Sequence, residues 1–261
     1  MSGSGERRIE GLCIKASPLG ENDRLITILT DEKGIIRLAA PGARRPRSSL
    51  SAASPLTYLS LQVVGKRSLK KVSQIKIIKS YSSLGKNIEC LAAAQAITEL
   101  TFLLVGNNDK QQNYLSCVLA HLDRIYVYEI PKEEDIKILS MSIQSLIHLL
   151  AIGGINLPVH HCCKTGCPII PPLGNWEWEC YYLPNEGFST IKDSQSNIKI
   201  NASEIALLQR LLFSELPIKS NGEILGPKKV WLKMLLIVET WIPAQLDKEL
   251  SSLKMLRELY S

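Results

Sequence analysis

The hydrophobic pattern of this chain changes near residue 80, and this change limits most strongly what the chain can fold into. Before it, apolar residues alternate with polar ones in five short runs, at residues 9–16, 24–30, 34–40, 58–64 and 70–78. A period of two is typical of half-buried β-strands. Five such strands, separated by Gly- and Pro-containing turns, predict a small closed β-barrel, because closure leaves no strand edge exposed.

After residue 80 the apolar residues recur every three to four positions, which predicts helices. The predicted helices cover residues 87–105, 111–126, 131–150, 203–213, 228–241 and 246–259. Ser203 is the expected N-cap of the fourth helix. Residues 155–200 follow neither period. We therefore predict an α+β chain with a barrel domain at 1–80 and a helical domain at 81–261, into which a Cys- and Trp-rich segment is inserted at about 158–190.

Basic residues are concentrated in the predicted barrel. Residues 33–88 hold twelve Lys and Arg side chains and no Asp or Glu, although the net charge of the whole chain is only +6. Residues 1–80 carry fifteen basic and six acidic side chains, whereas residues 81–261 carry sixteen and nineteen. This asymmetry indicates a polyanionic partner, because phosphate neutralisation supplies most of the non-specific affinity for nucleic acid.

We expect nine of these cations to contact nucleic-acid phosphates. They are Lys33, Arg37, Arg44, Arg45, Arg47, Lys66, Arg67, Lys70 and Lys71. The arginines at 44–47 lie in a long connection rich in Arg, Ser and Pro, which we expect to be a mobile arm. Because Tyr58 and Tyr81 are the aromatic residues of the stretch, base stacking is expected to be weak, and the affinity mainly electrostatic and dependent on salt.

A second cluster combines histidines and cysteines at residues 160–167, and a further cysteine follows at 180. A structural zinc ion needs four thiolate or imidazole ligands arranged as a tetrahedron. The candidate ligands are Cys162, Cys163, Cys167 and Cys180, with His161 as the alternative to Cys162. Two main interpretations remain open at this point, a structural zinc site and a metal-free loop held by the packing of neighbouring aromatic residues. Stacking of these aromatic residues on nucleic-acid bases is a minor alternative.

The sequence lacks the motifs of several other classes of protein. Its four histidines form no His-Glu-x-x-His motif, and it has no nucleophile elbow and no Gly-rich phosphate loop. It has no apolar run of eighteen residues, its N-terminus is charged where a signal peptide is apolar, and its seven cysteines are an odd number. We therefore expect a soluble, intracellular protein that is not an enzyme and does not contact membranes.

Two short sequences carry a family resemblance. GENDRL at residues 20–25 and PGARRPRS at residues 41–48, separated by two predicted strands, resemble the N-terminal domain of the RecO family of bacterial recombination mediators. The resemblance implies a barrel of the oligonucleotide-binding (OB) type that binds single- and double-stranded DNA and anneals complementary strands. It also implies a complex with RecR, help in loading RecA onto DNA coated by single-stranded DNA-binding protein, and a cytoplasmic location at the nucleoid.

The resemblance also bears on the other candidate sites. Family members that bind zinc use two Cys-x-x-Cys pairs, whereas here Cys163 and Cys167 are separated by three residues and no second pair follows. The helical domain of the family receives the acidic, Phe-ending tail of single-stranded DNA-binding protein in an apolar slot with cations at its rim. The expected rim residues are Lys228, Lys229 and Lys233.

An RNA- or ribosome-associated module is the alternative function, because phosphate contacts do not distinguish DNA from RNA.

Overall fold

The structure, a computed structural model, describes residues 7–65, 69–106, 113–128, 136–192, 194 and 198–261. These residues form two compact units. The described residues of Met1–Ala94 and Thr101–Val127 form the first unit, and those of Gln95–Leu100 and Tyr128–Ser261 form the second. Within the described ranges, no helix combines the length and the apolar character needed to cross a membrane.

The first unit contains the five strands expected from the sequence. They are β1 Arg7–Leu19, β2 Asp23–Thr30, β3 Gly34–Ala40, β4 Thr57–Val64 and β5 Lys70–Ser80. They close into a barrel in the order β1-β2-β3-β5-β4. Neighbouring strands are antiparallel except β3 and β5, which are parallel and pair Leu38 with Lys70 and Ala39 with Lys71. The prediction of an α+β chain with an N-terminal five-stranded barrel is confirmed.

The interior of the barrel is filled by strand residues and by three residues of the β3–β4 connection. The strand residues include Ile26, Ile28, Ile36, Leu38, Leu59, Leu61, Val63 and Val72. The connection contributes Ala43, Leu50 and Ala53, which are all buried in the same core. These three side chains hold the connection against the barrel, because releasing them would return apolar surface to water.

Gly11 lies on β1 at a close approach to β2. A Cβ atom here would stand 2.4 Å from the Ile28 side chain and 2.4 Å from the Leu29 carbonyl oxygen. We expect Gly11→Ala to lower the free energy of unfolding by about 2 kcal/mol, because the backbone must move to make room. Urea denaturation measures the change. Gly85→Ala is the matched control, since a Cβ at Gly85 meets no atom within 4 Å; equal effects of the two substitutions would contradict the prediction.

The described helices agree in order with those expected from the sequence. They are α1 Ile88–Leu104, α2 Tyr114–Tyr126, α3 Lys137–Ile152, α4 Ala202–Arg210, α5 Lys228–Leu246 and α6 Ser251–Tyr260, and a 3₁₀ turn Ser82–Lys86 precedes α1. The expected start of the third helix at Pro131 lies outside the described residues. Helix α5 continues past its expected end at Trp241 and contains Pro243 within its last turns.

The N-cap of α4 is Asn201, so the prediction that Ser203 caps this helix is wrong. The Asn201 side chain accepts a hydrogen bond from the Glu204 backbone N–H at 2.9 Å, and the Glu204 carboxylate accepts one from the Asn201 N–H at 3.0 Å. This reciprocal capping box satisfies two N–H groups at the start of the helix. Asn201 has the required glutamate three residues later, and Ser203 does not.

Residues 155–200, which follow neither period, contain a small antiparallel sheet. Its strands are β6 Glu179–Leu183, β7 Gly187–Ser189 and β8 Ile198–Asn201, in the order β7-β6-β8. Its strand residues Cys180, Tyr182 and Phe188 are buried. The Tyr182 hydroxyl donates a hydrogen bond to the Ile237 carbonyl oxygen of α5 at 3.0 Å, which attaches the sheet to the helices of the second unit.

Candidate nucleic-acid interface

The basic residues of the barrel follow strand β3 from one end to the other. Lys33 lies in the turn before β3, and Arg37 is exposed at the middle of the strand. The parallel pairing places Lys70 and Lys71 beside the second half of β3. The connection that carries the arginines at 44–47 begins where β3 ends. Because each strand residue advances about 3.3 Å, the charges extend over roughly 20 Å.

We call the predicted cations that the structure describes the β3 basic surface. They are Lys33, Arg37, Arg44, Arg45, Arg47, Lys70 and Lys71. The other two predicted cations, Lys66 and Arg67, fall outside the described residues. Within the described part of the chain, no member of the β3 basic surface forms an ion pair with an acid. Partial burial, together with repulsion by Arg7 and Lys70, lowers the pKa of Lys33. Uncompensated charges at this density attract a polyanion.

Other polar and aromatic residues of the basic stretch are engaged inside the barrel unit. Lys79 forms an ion pair with Asp123 of α2 at 2.7 Å, and the Tyr81 hydroxyl donates a hydrogen bond to the same carboxylate. Tyr81 is 1% exposed, and its ring meets that of Tyr126 edge-on. Tyr81 is therefore not accessible for stacking on a base, and Tyr58 on β4 is only partly exposed.

The β3–β4 connection, for which the sequence suggested a mobile arm, contacts the barrel at several points. Arg24 Nη1 donates hydrogen bonds to the carbonyl oxygens of Ser51 and Ala53, at 3.2 and 3.0 Å. Arg44 Nη1 donates to the Gly20 carbonyl oxygen at 3.1 Å. These contacts and the three buried apolar side chains position the backbone before any ligand arrives, and this lowers the entropy cost of ordering the connection on binding.

Arg24 is a candidate that the charge pattern did not identify. It lies on β2 and pairs with Ala40, the last residue of β3. Asp31 and Glu32 separate it from the acid-free stretch at residues 33–88, so it was not among the predicted cations. The sequence signal for Arg24 is its position at the start of a predicted strand, directly after a turn. Because β2 and β3 are antiparallel, the start of β2 lies beside the end of β3, where the connection carrying Arg44 begins.

The four candidate zinc ligands lie at different depths. Cys162 and Cys180 are buried, Cys163 is partly exposed and Cys167 is exposed. Burial opposes ionisation of Cys162, but hydrogen bonds from Thr165 and Thr190 outweigh it and lower the pKa of this thiol to about 5. Burial raises the pKa of Cys180 to about 12, so this thiol keeps its proton at neutral pH.

The cysteine segment is tied together by backbone hydrogen bonds. The Cys163 N–H donates to the Phe188 carbonyl oxygen at 2.7 Å, and the Cys162 N–H donates to the Cys167 carbonyl oxygen at 2.8 Å. Across the described residues, no three His, Cys, Asp or Glu side chains are grouped so that they could hold a metal ion. As placed, the four cysteines do not fit a tetrahedral zinc site, which needs all four sulfurs around one point.

Metal analysis tests the zinc hypothesis directly. Because the ligands are not grouped, we expect protein purified without added zinc to contain far less than one equivalent of zinc per chain. The same preparation should keep its thermal midpoint when a chelator is added. A full equivalent that survives dialysis would establish the zinc site and contradict this expectation.

An apolar slot of about 360 Å³ lies in the second unit, between α4 and the start of α5. Its lining includes Leu207, Leu225, Pro227 and Val230. Lys228 and Lys229 of the predicted rim follow Pro227 directly, and Lys229 is exposed.

Lys233, the third predicted rim residue, is engaged by an acid. Its Nζ lies 2.6 and 2.7 Å from the two carboxylate oxygens of Glu204, which itself lines the slot. The side chain of Glu204 is only 8% exposed. Lys233 therefore neutralises a buried charge that would otherwise make the slot acidic.

Comparisons with known proteins agree with this architecture. Two family models match the chain, "Recombination protein O N terminal" over residues 1–81 and "Recombination protein O C terminal" over residues 85–254. The chain is 49% identical to the DNA repair protein RecO of Synechococcus sp. (strain WH7803) over 259 residues, which cover 99% of this chain and 96% of the relative. It is 32% identical to the DNA repair protein RecO of Trichodesmium erythraeum (strain IMS101) over 222 residues, 77% of each chain. The family expected from the two short sequences is thus confirmed, and the chain belongs to the RecO family of DNA repair proteins.

Proposed function

We propose that this protein is a non-enzymatic recombination mediator that binds single- and double-stranded DNA through the β3 basic surface. The observation that carries the proposal is the row of cations along β3 that have no acidic partner among the described residues. Phosphates are common to single strands and duplexes, so a surface of this kind attracts both. Binding of this kind does not depend on base sequence.

The same surface suits the annealing of complementary strands. Its contacts are directed at the backbone, and Tyr81, one of the two aromatic residues of the basic stretch, is buried. Most bases of a bound strand therefore stay available to pair. The cations also reduce the repulsion between two strands that are held close together. We propose that the protein brings complementary strands together in this way, including strands coated by single-stranded DNA-binding protein.

The proposed protein partners are RecR and single-stranded DNA-binding protein, and the proposed outcome is the loading of RecA onto the coated DNA. The apolar slot is the proposed site for the acidic, Phe-ending tail of single-stranded DNA-binding protein. A peptide of this kind needs an apolar pocket with cations beside it. In this proposal Lys228 and Lys229 meet the acidic residues, and Lys233 keeps Glu204 neutralised. The proposed setting is the bacterial cytoplasm, at the nucleoid.

An annealing assay with complementary strands coated by single-stranded DNA-binding protein tests the proposed function. We expect the protein to accelerate duplex formation, and the double variant Arg37→Ala, Lys71→Ala to lose most of the acceleration. Lys86→Ala is the matched control, because Lys86 is exposed but lies outside the β3 basic surface. RNA binding without any acceleration of DNA annealing would contradict the proposal and favour the RNA- or ribosome-associated module.

A further inference from the structure

A cleft of about 290 Å³ opens on the surface of the barrel unit, next to the β3 basic surface. The end of β1, with Ser17 and Pro18, and the end of the β3–β4 connection, with Ser54 and Pro55, contribute to its lining. Arg24, Arg44 and Ala16 also line it. Its volume lies near the lower end of the roughly 300–1,000 Å³ that small-molecule sites occupy. The cleft therefore has room for a small group, but not for a folded segment of another chain.

The two arginines are held in place, and their charges are uncompensated. Each uses Nη1 to donate to backbone carbonyl oxygens, Arg24 to those of Ser51 and Ala53 and Arg44 to that of Gly20. A guanidinium has five N–H donors in a rigid planar arrangement, so most donors of each side chain remain after these bonds. In the described part of the chain, neither arginine has an acidic partner. Two positioned guanidiniums beside one cleft are suited to a phosphate group.

The other residues that line the cleft include apolar side chains, which a site for phosphate alone does not need. Pro18 and Pro55 are exposed and present rigid apolar rings, whereas Ser17 and Ser54 are partly exposed and carry hydroxyl groups. The Ser54 hydroxyl also hydrogen-bonds to that of Thr57 at 3.2 Å, and a hydroxyl oxygen has two lone pairs, so it keeps capacity to accept. Apolar rings next to hydroxyl groups match a nucleobase, which has apolar faces and polar edges. A bare phosphate would make no use of the prolines. The cleft thus combines groups for a phosphate with groups for the base attached to it.

We propose that the cleft binds one unpaired nucleotide of a single strand, with its phosphate on Arg24 and Arg44 and its base against Pro18 and Pro55. This inference rests on the proposed function, since it adds a base-binding position to a surface that otherwise contacts only phosphates. A base in a duplex reaches such a cleft only after it is unpaired and unstacked, which costs free energy that a single strand does not pay. The cleft therefore gives the barrel a preference for single strands.

The test compares three probes of equal length in fluorescence anisotropy titrations: a single strand, the same strand with abasic sites throughout, and the duplex. We expect the wild-type protein to bind the base-bearing strand several-fold more tightly than the abasic strand, because the abasic strand has no base to pack against Pro18 and Pro55. Ser17→Ile, which fills the cleft without changing charge, should remove that difference. Arg45→Ala, a charge change in the same connection but outside the cleft lining, should weaken all three probes by similar factors.

The outcomes separate the inference from the proposed function. Equal affinities of the wild-type protein for base-bearing and abasic strands would overturn the inference and leave general DNA binding intact. A Ser17→Ile variant that lowers the affinity for every probe by the same factor would overturn it as well. Failure of the wild-type protein to bind any of the three probes would overturn the proposed function too. The wild-type comparison decides the question even when Ser17→Ile does not fold.

Discussion

Replacing Arg44, Arg45 and Arg47 together with alanine is expected to lower the affinity for DNA by roughly a hundredfold at about 0.1 M salt. For duplex DNA, each phosphate contact that is lost reduces the slope of log affinity against log salt by about 0.9, so the slope should fall by about 2.7 for three contacts. Anisotropy titrations at several salt concentrations measure both quantities. The reason for the large effect is that these side chains have no acidic partner among the described residues and are therefore available to phosphates.

Arg44 also supports the connection through its bond to the Gly20 carbonyl oxygen, so the triple variant needs a control for folding. The double variant Arg45→Ala, Arg47→Ala keeps that bond and should reduce the slope by about 1.8. Lys86→Ala should leave the slope unchanged, because Lys86 lies outside the β3 basic surface. An unchanged affinity and an unchanged slope in the triple variant would show that these arginines do not contact DNA.

Replacement of Lys233 by alanine is expected to lower the free energy of unfolding by about 3 kcal/mol. Glu204 is buried in the wild-type protein and depends on Lys233 for a compensating charge. Removing the lysine leaves a buried carboxylate without a cation at a helix start that the same carboxylate caps. Urea denaturation at neutral pH measures the loss.

The double variant Lys233→Ala, Glu204→Gln is the control for this ion pair. It removes both charges, so it should be more stable than Lys233→Ala alone, and the cycle gives the coupling between the two residues. Lys229→Ala, which removes an exposed lysine, should change stability little.

Titration of an acidic, Phe-ending peptide then separates the roles of the lysines. If Lys229→Glu bound the peptide as well as the wild-type protein, Lys229 would not belong to the rim of the slot.

Much of the barrel is predictable from the sequence, because its strands are long enough to show a period of two and are separated by clear turns. Strand β3, for example, extends over residues 34–40 in both the prediction and the structure. The small sheet in the second unit was not predictable in this way. Its strands have three to five residues, and a period of two is not recognisable over so few positions.

The candidate interface was predictable in composition but not in arrangement. Residue counts identify Arg37, Lys70 and Lys71 as members of one basic stretch, but the parallel register that places the two lysines beside β3 depends on contacts between distant segments. The same limitation applies to the β3–β4 connection. Its composition suggested a mobile arm, whereas its few apolar residues are buried in the barrel core. Lys233 was assigned to the rim from its charge and the family resemblance, which do not reveal that its partner Glu204 lies on a different helix.

The short parallel pairing of β3 with β5 also has a consequence for folding. Among the described residues it joins only two residue pairs, Leu38 with Lys70 and Ala39 with Lys71. Their separation in sequence makes them entropically costly to form, so we expect them to form late in folding. The same step brings lysines close to Arg37, and their mutual repulsion opposes it. A bound polyanion removes this repulsion, so it binds the barrel in which β3 and β5 are paired better than one in which they are apart. DNA is therefore expected to stabilise the folded barrel and to raise its thermal midpoint.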